Sequence, residues 1–209
     1  MVNDILTDIN NTMFKNHFDY PFFSDLISKN YKSDIGAIEL VKTFPKIYHF
    51  FDPPLRAKLI EKTFEIYSKK AEIGFKTQAL YTVGCIVPSL SIEVTKETVN
   101  KMKYLLTGSS DPTELASILK SFASILQYSK LDYVDKCIIL SVCKGYLVHP
   151  CKIVNANALN LVKIMYDLTP KEDICQILAP ILSAFSKVKL ISNRRKSRHS
   201  ILRLLSWSG

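Results

Sequence analysis

Glycine and proline are scarce in this 209-residue sequence, with six and nine residues respectively. The prolines fall between stretches of helical apolar spacing more often than inside them, as they do where one α-helix ends and another begins. This punctuation favours helices over a β-sandwich. A composition of 47% hydrophobic and 22% charged residues is typical of a folded globular chain.

The sequence also lacks a membrane-spanning run, and its first residues are not those expected of a secretory leader. Its longest uncharged run, residues 77–92, contains Gln78 and Pro88 and is shorter than the roughly 18 to 20 apolar residues that cross a bilayer. Asp4 and Asp8 lie where a secretory signal carries basic residues. These features predict a cytoplasmic protein.

Motifs that would carry chemistry are missing as well. There is no glycine-rich phosphate loop, no Cys-x-x-Cys pair, and no close pair of histidines with metal-ligand spacing. The five cysteines lie in apolar helical surroundings and are expected to be reduced, and the neighbouring carboxylates Glu61 and Glu65 are expected to be solvated. We therefore expect no enzyme activity, no cofactor, no metal and no small-molecule substrate.

Apolar residues follow the 3.6-residue helical period almost throughout the chain. Helices are predicted after Asp34 as an N-cap, at Pro54, over residues 73–87, after Thr95 as a cap, after Asp111 and Pro112, and over residues 131–147 and 153–168. Thr169 and Pro170 open a further helix. First helices of successive pairs begin near Asp34, Glu72, Asp111 and Cys151.

These starts recur at an interval of roughly 40 residues, which is the period of HEAT and armadillo repeats. The predicted fold class is therefore all-α, an α-α superhelix of about four to five helix pairs. A single pair cannot cover its own apolar face, so pairs stack and leave a concave row of second helices as a binding surface. Aromatic residues near the first pair either form a binding patch or pack between helices, and helical spacing favours packing: Phe22, Phe23, Tyr48, Phe50 and Phe51.

The C-terminal end departs from the core pattern. Residues 174–209 contain no Asp or Glu and hold seven of the nine net positive charges, so residues 1–190 are predicted to form the repeat domain and residues 191–209 a basic tail. The tail is a solvated segment, a basic amphipathic helix on an anionic membrane or partner helix, or a nucleic-acid contact. Its candidate contact residues are Arg194, Arg195, Lys196, Arg198 and Trp207. Ser197 follows two arginines and is a candidate phosphorylation site.

Three segments carry a family resemblance: residues 38–47 (IELVKTFPKI), residues 76–86 (KTQALYTVGCI) and the helix over residues 114–126. Their order between about Ala37 and Leu168 resembles the HEAT-repeat region of the Scy-like pseudokinases. Nothing in the chain resembles the kinase half of that family. The resemblance implies a scaffold in vesicle trafficking that binds coat or adaptor proteins at Golgi or endosomal membranes.

Two functions are open at this point. The first is a scaffold that binds protein partners on its concave face. The second is an RNA-binding helical-repeat protein of organellar or ribosome-assembly type, which the sequence pI of about 9.2 permits. An RNA-binding repeat protein carries Lys and Arg over several repeats, whereas the positive charge here is terminal, which favours the scaffold.

Overall fold

The computed structural model describes residues 41–46, 48–51, 53–69, 72–170 and 173. Within these ranges the regular elements are helices, which confirms the all-α prediction. Residues 41–46 are helical, and the longer helices are α1 (Pro53–Lys69), α2 (Ile73–Ile86), α3 (Ile92–Gly108), α4 (Pro112–Tyr128), α5 (Tyr133–Cys143) and α6 (Lys152–Leu168). Short 3-10 helices cover Tyr48–Phe50, Val87–Ser89 and Lys144–Val148.

The predicted interval between helix pairs is confirmed for three of its four starting points. Helices α2, α4 and α6 begin at Ile73, Pro112 and Lys152. Successive starts are thus separated by roughly 40 residues, the interval typical of HEAT repeats. The start predicted near Asp34 lies outside the described residues. Helices α1, α3 and α5 are the second members of the pairs.

Local side-chain chemistry fixes where these helices begin. The Asp111 carboxylate accepts hydrogen bonds from the backbone N–H groups of Thr113 and Glu114, at 2.8 and 2.9 Å, directly before α4. Pro112 occupies the first turn, where its missing N–H costs nothing. Asp132 caps α5 in the same way, accepting from the backbone N–H of Asp135 at 2.8 Å.

The cap predicted at Thr95 is wrong by four residues. Helix α3 begins at Ile92, and its N-cap is Ser91, whose hydroxyl accepts from the backbone N–H of Val94. Thr95 lies one turn inside the helix, where its hydroxyl donates to the carbonyl of Ser91 at 2.8 Å. Both residues are able to cap a helix, and the extended backbone at Ser91 decides between them.

The helix predicted over residues 131–147 also differs from the structure. The α-helix ends at Cys143 and the chain continues as the 3-10 helix Lys144–Val148. Gly145 weakens the helix there, and the Tyr146 hydroxyl donates to the Leu106 carbonyl of α3 at 2.7 Å. The 3-10 helix after α5 is thus hydrogen bonded to α3, the second helix of the preceding pair.

The first helices of successive pairs pack side by side. Helix α4 lies between α2 and α6, and these two contacts are the most extensive in the described part of the chain. The apolar stripe predicted for α4 is confirmed, since all six of its members are buried: Leu115, Ile118, Leu119, Phe122, Ile125 and Leu126. One continuous core runs from Val41 to Met165.

The same side-chain hydrogen bond recurs at two successive junctions. The Thr82 hydroxyl donates to the Val41 carbonyl at 2.9 Å, and the Ser121 hydroxyl donates to the Leu80 carbonyl at 2.6 Å. Each bond joins residues 41 positions apart, and both ends of the second bond follow those of the first by one repeat interval. The repeat in the sequence is therefore also a repeat of contacts.

Helix α2 comes unusually close to α4 at Gly84. A Cβ built at this position would lie 3.0 Å from the Cα of Ser121 and 3.2 Å from its Cβ and Oγ. Because the nearest obstacle is backbone, an added methyl group requires the two helices to separate by a few tenths of an ångström. Glycine at this position thus allows the short Ser121 hydrogen bond.

We expect Gly84→Ala to lower the free energy of unfolding by about 1–3 kcal/mol through overpacking, despite the roughly 1 kcal/mol that alanine contributes to helix propensity. Gly74→Ala, in the same helix and with only an ordinary contact at 3.6 Å, is the control and should be neutral or stabilising. Urea unfolding followed by circular dichroism measures both. Equal stability of the two variants would contradict the close approach of α2 and α4.

Candidate functional site

A groove with a volume of about 710 Å³ lies between α1 and α3. Both walls are second helices of their pairs, so the groove lies on the row that the repeat pattern predicts as a binding surface. Helix α1 contributes Glu61, Phe64, Glu65, Tyr67 and Ser68, and helix α3 contributes Glu97, Asn100, Lys101, Tyr104 and Leu105.

Aromatic side chains give the groove its apolar character. Tyr104 is 84% exposed, the most exposed large hydrophobic residue in the described part of the chain. Phe64 is half-buried, and the Lys101 ammonium lies 5.9 Å from the centre of its ring. Tyr67 is buried and also lines the groove. An aromatic ring as exposed as that of Tyr104 adds little to the core and is free to contact a partner.

The charged residues that line the groove are three carboxylates and one lysine. Glu97 pairs with Lys101 at 2.8 Å. Glu65 is already paired, because Lys62 and Lys69 both hydrogen bond to it, and these bonds hold its pKa below the ordinary value. Exposed pairs of this kind contribute little stability and exchange readily for a new partner.

Behind the groove lies a buried carboxylate. Glu114 in the first turn of α4 is only 5% exposed. Its Oε1 accepts a hydrogen bond from the Tyr67 hydroxyl, and its Oε2 accepts one from the Ser109 hydroxyl at 2.7 Å. The Lys76 ammonium lies 3.4 Å from Oε1 and 5.3 Å from the centre of the Tyr67 ring. We call these four residues the Glu114 cluster.

The Glu114 cluster favours the charged carboxylate. Burial acts to raise the pKa of Glu114, but the hydrogen bonds from Tyr67 and Ser109 and the charge of Lys76 outweigh burial and lower that pKa below its ordinary value of 4.5. The pKa of the Tyr67 hydroxyl is raised far above its usual range by burial and by its bond to Glu114. Neither group exchanges a proton near neutral pH, so the cluster positions the Tyr67 wall of the groove.

The residues predicted as contacts in the tail, Arg194, Arg195, Lys196, Arg198 and Trp207, and the candidate phosphorylation site Ser197, lie outside the described residues. So does the predicted domain boundary at residue 190.

The predicted aromatic set is only partly described. Phe51 is 3% exposed and belongs to the core, in agreement with the packing interpretation. Tyr48 is half-buried and packs against the core, while Phe22 and Phe23 lie outside the described residues. The groove residues Tyr104 and Glu97 were missed by sequence reasoning. The only signal was a tyrosine on the polar side of α3, next to Asn100 and Lys101.

The cysteines within the described ranges are free thiols. Cys143 is buried, and burial raises the pKa of its thiol to about 12, so the thiol remains protonated at neutral pH. Among the described residues, no group of three or more His, Cys, Asp or Glu side chains is placed to hold a metal ion. No helix in the same part of the chain is long and apolar enough to cross a membrane.

Comparison of the chain with protein-family models, with curated proteins and with solved structures finds no match.

Glu114→Gln tests whether the ionised carboxylate stabilises the fold. We expect a loss of about 1–3 kcal/mol in the free energy of unfolding at pH 7, since hydrogen bonds to a charged group are weakened. Because the folded-state pKa of Glu114 is lowered, its contribution is present above the unfolded pKa and disappears as the pH falls through the folded pKa. The deficit of the variant should therefore shrink below about pH 4.5.

Urea unfolding at pH 7 and at pH 3 measures this difference. Glu97→Gln is the control, because Glu97 belongs to an exposed pair and its loss should change the free energy of unfolding by at most about 0.5 kcal/mol. A deficit for Glu114→Gln that is the same at both pH values would contradict the ionised state of Glu114.

Proposed function

We propose that this chain is a non-catalytic helical-repeat scaffold that binds a segment of a protein partner in the groove between α1 and α3. The observation that carries the proposal is the exposed Tyr104 ring on a groove formed by two second helices. Exposed aromatic residues are typical anchors of protein interfaces.

The dimensions of the groove suit a peptide. Its volume of about 710 Å³ falls within the range of ligand-binding clefts, and the groove is open to solvent along its length. Recognition of a helix or an extended strand in a groove between helices requires a few apolar contacts and polar groups at the edges. In this groove the apolar contacts come from Phe64, Leu105 and Tyr104. The polar groups are the carboxylates of Glu61 and Glu97.

The arrangement of helix pairs supports a stacked repeat of the HEAT type as the architecture. The first helices α2, α4 and α6 pack side by side, at the interval of roughly 40 residues that HEAT repeats have, and leave the second helices in a separate row. In such a stack, each pair contacts its neighbours and the row of second helices forms an extended surface. We propose an α-α superhelix on this basis.

RNA binding is the alternative function, and the charge of the groove argues against it. Three of the four charged residues that line the groove are carboxylates, which repel a phosphate backbone. The basic residues that would favour RNA are concentrated after residue 186. The groove therefore suits a protein segment better than a nucleic acid.

The cellular setting that we propose comes from the resemblance to the Scy-like repeat region. It places the partner among coat or adaptor proteins, and the chain at the periphery of Golgi or endosomal membranes. The groove would then bind a segment of such a protein.

Tyr104→Ala should reduce the capture of protein partners from cell lysate by about tenfold or more, since loss of an aromatic anchor typically costs about 2 kcal/mol or more. Tyr128→Ala is the matched control, because Tyr128 is also exposed, at 65%, and lies outside the groove. Retained proteins and retained RNA are both quantified after a salt wash. RNA as the main salt-sensitive ligand, or equal capture by the two variants, would overturn the proposed function.

A further inference from the structure

The C-terminal segment of this chain has the chemistry that complements the groove. Residues 194–198 contain three arginines or lysines in succession and a further arginine, and an apolar stretch then ends with Trp207, the only tryptophan of the chain. The groove offers carboxylates on both walls and an exposed aromatic ring. The basic residues of the segment thus have carboxylates as counterparts in the groove, and Trp207 has an exposed aromatic ring.

We propose that residues 194–207 of the chain dock in its own groove, with the basic side chains against Glu61 and Glu97 and the Trp207 ring against Tyr104. This docking rests on the proposed function in one respect, namely that the groove is a docking surface. It goes further by naming residues 194–207 as one segment that occupies the groove.

Glu61 and Glu97 are the carboxylates suited to receive arginine. Glu97 is 66% exposed, and its present partner Lys101 is 47% exposed, so the pair is weak and solvated. An arginine binds a carboxylate with two parallel hydrogen bonds, which a lysine cannot do, and it therefore displaces Lys101. Glu65 is less suitable, because Lys62 and Lys69 already hydrogen bond to it.

Tyr104 provides the aromatic contact. Its ring is 84% exposed, so an incoming indole can stack on it without moving a core residue. The neighbouring Phe64 and Leu105 are half-buried and extend the apolar surface along the groove.

The chain is long enough to make this contact. Residues 174–193 separate the last described residue from the basic stretch, and an extended chain of that length spans up to roughly 66 Å. Helix α6 lies two packing steps from α2, and the groove helices lie one further step away in the neighbouring row, which is a distance of roughly 30 Å at ordinary helix spacing. Attachment to the same chain gives an effective concentration on the order of millimolar, so a weak contact is still populated.

Docking of this kind would be sensitive to phosphorylation. Ser197 lies among Arg195, Lys196 and Arg198, and a phosphate at this position would cancel much of their charge and repel the groove carboxylates. Ser197→Asp should therefore weaken the contact, which opens the groove to other segments.

Trp207 makes the test possible with the full chain, because its fluorescence is that of a single tryptophan. We expect Trp207 in the unsubstituted chain to be protected from quenching by acrylamide. Tyr104→Ala, the double variant Glu61→Gln with Glu97→Gln, and Ser197→Asp should each raise the quenching constant about twofold or more and shift the emission to longer wavelength. The same change is expected in about 1 M salt, at which exposed charges are screened within roughly 3 Å.

Tyr128→Ala and Glu93→Gln are the matched controls, since both residues are exposed and neither lines the groove; they should leave the quenching constant unchanged. Quenching in the unsubstituted chain as fast as that of free tryptophan, or protection that no groove variant alters, would overturn the docking of residues 194–207. Protection that increases with protein concentration would assign the contact to a second copy of the chain and overturn the intramolecular assignment.

The two proposals fail in distinguishable ways. In the first case, Trp207 is quenched as fast as free tryptophan, and Tyr104→Ala captures fewer partners. This result would contradict the tail contact and support the groove as a site for protein partners. A protected Trp207 that Tyr104→Ala releases, combined with equal capture by Tyr104→Ala and Tyr128→Ala, supports the tail contact and overturns the binding of partners in this groove.

Discussion

The buried carboxylate of Glu114 joins four separate parts of the chain. Its oxygens accept from Tyr67 at the end of α1 and from Ser109 in the turn before α4, and the Lys76 ammonium of α2 faces it at 3.4 Å. A carboxylate taken out of water is stable only when such partners surround it. The relative positions of α1, α2 and α4 are therefore coupled, and the groove depends on them because Tyr67 belongs to both the cluster and the wall.

A second constraint acts between successive pairs. The hydroxyls of Thr82 and Ser121 bond to the carbonyls of Val41 and Leu80 across equivalent junctions, and Gly84 allows close contact at the second of them. These directional bonds fix how far one first helix slides along the next. The second helices inherit that register, which sets the separation of α1 and α3.

Much of the fold follows from local patterns in the sequence. The regular interval between helix pairs, the Asp111 cap and the apolar stripe of α4 each depend on neighbours in the chain, and the structure confirms them for the described residues. The groove and the Glu114 cluster, by contrast, depend on contacts between residues that are far apart in the sequence. Tyr67 and Glu114 are 47 positions apart, and neither a buried acid at a helix start nor a tyrosine on a helix identifies its partner. For the same reason, Glu61 and Tyr104 are recognisable as walls of one groove only after the helices pack.

The bond between first helices does not continue to the next junction. Leu161, one repeat interval after Ser121, has no hydroxyl and is fully buried. Apolar contact resists separation but not sliding, since it has no preferred direction. Sliding of one first helix along the next is therefore opposed by a directional bond between α2 and α4, whereas α6 offers no hydroxyl at the equivalent position. The groove between α1 and α3 lies beside the junction held by the Thr82 bond, so its two walls resist such sliding.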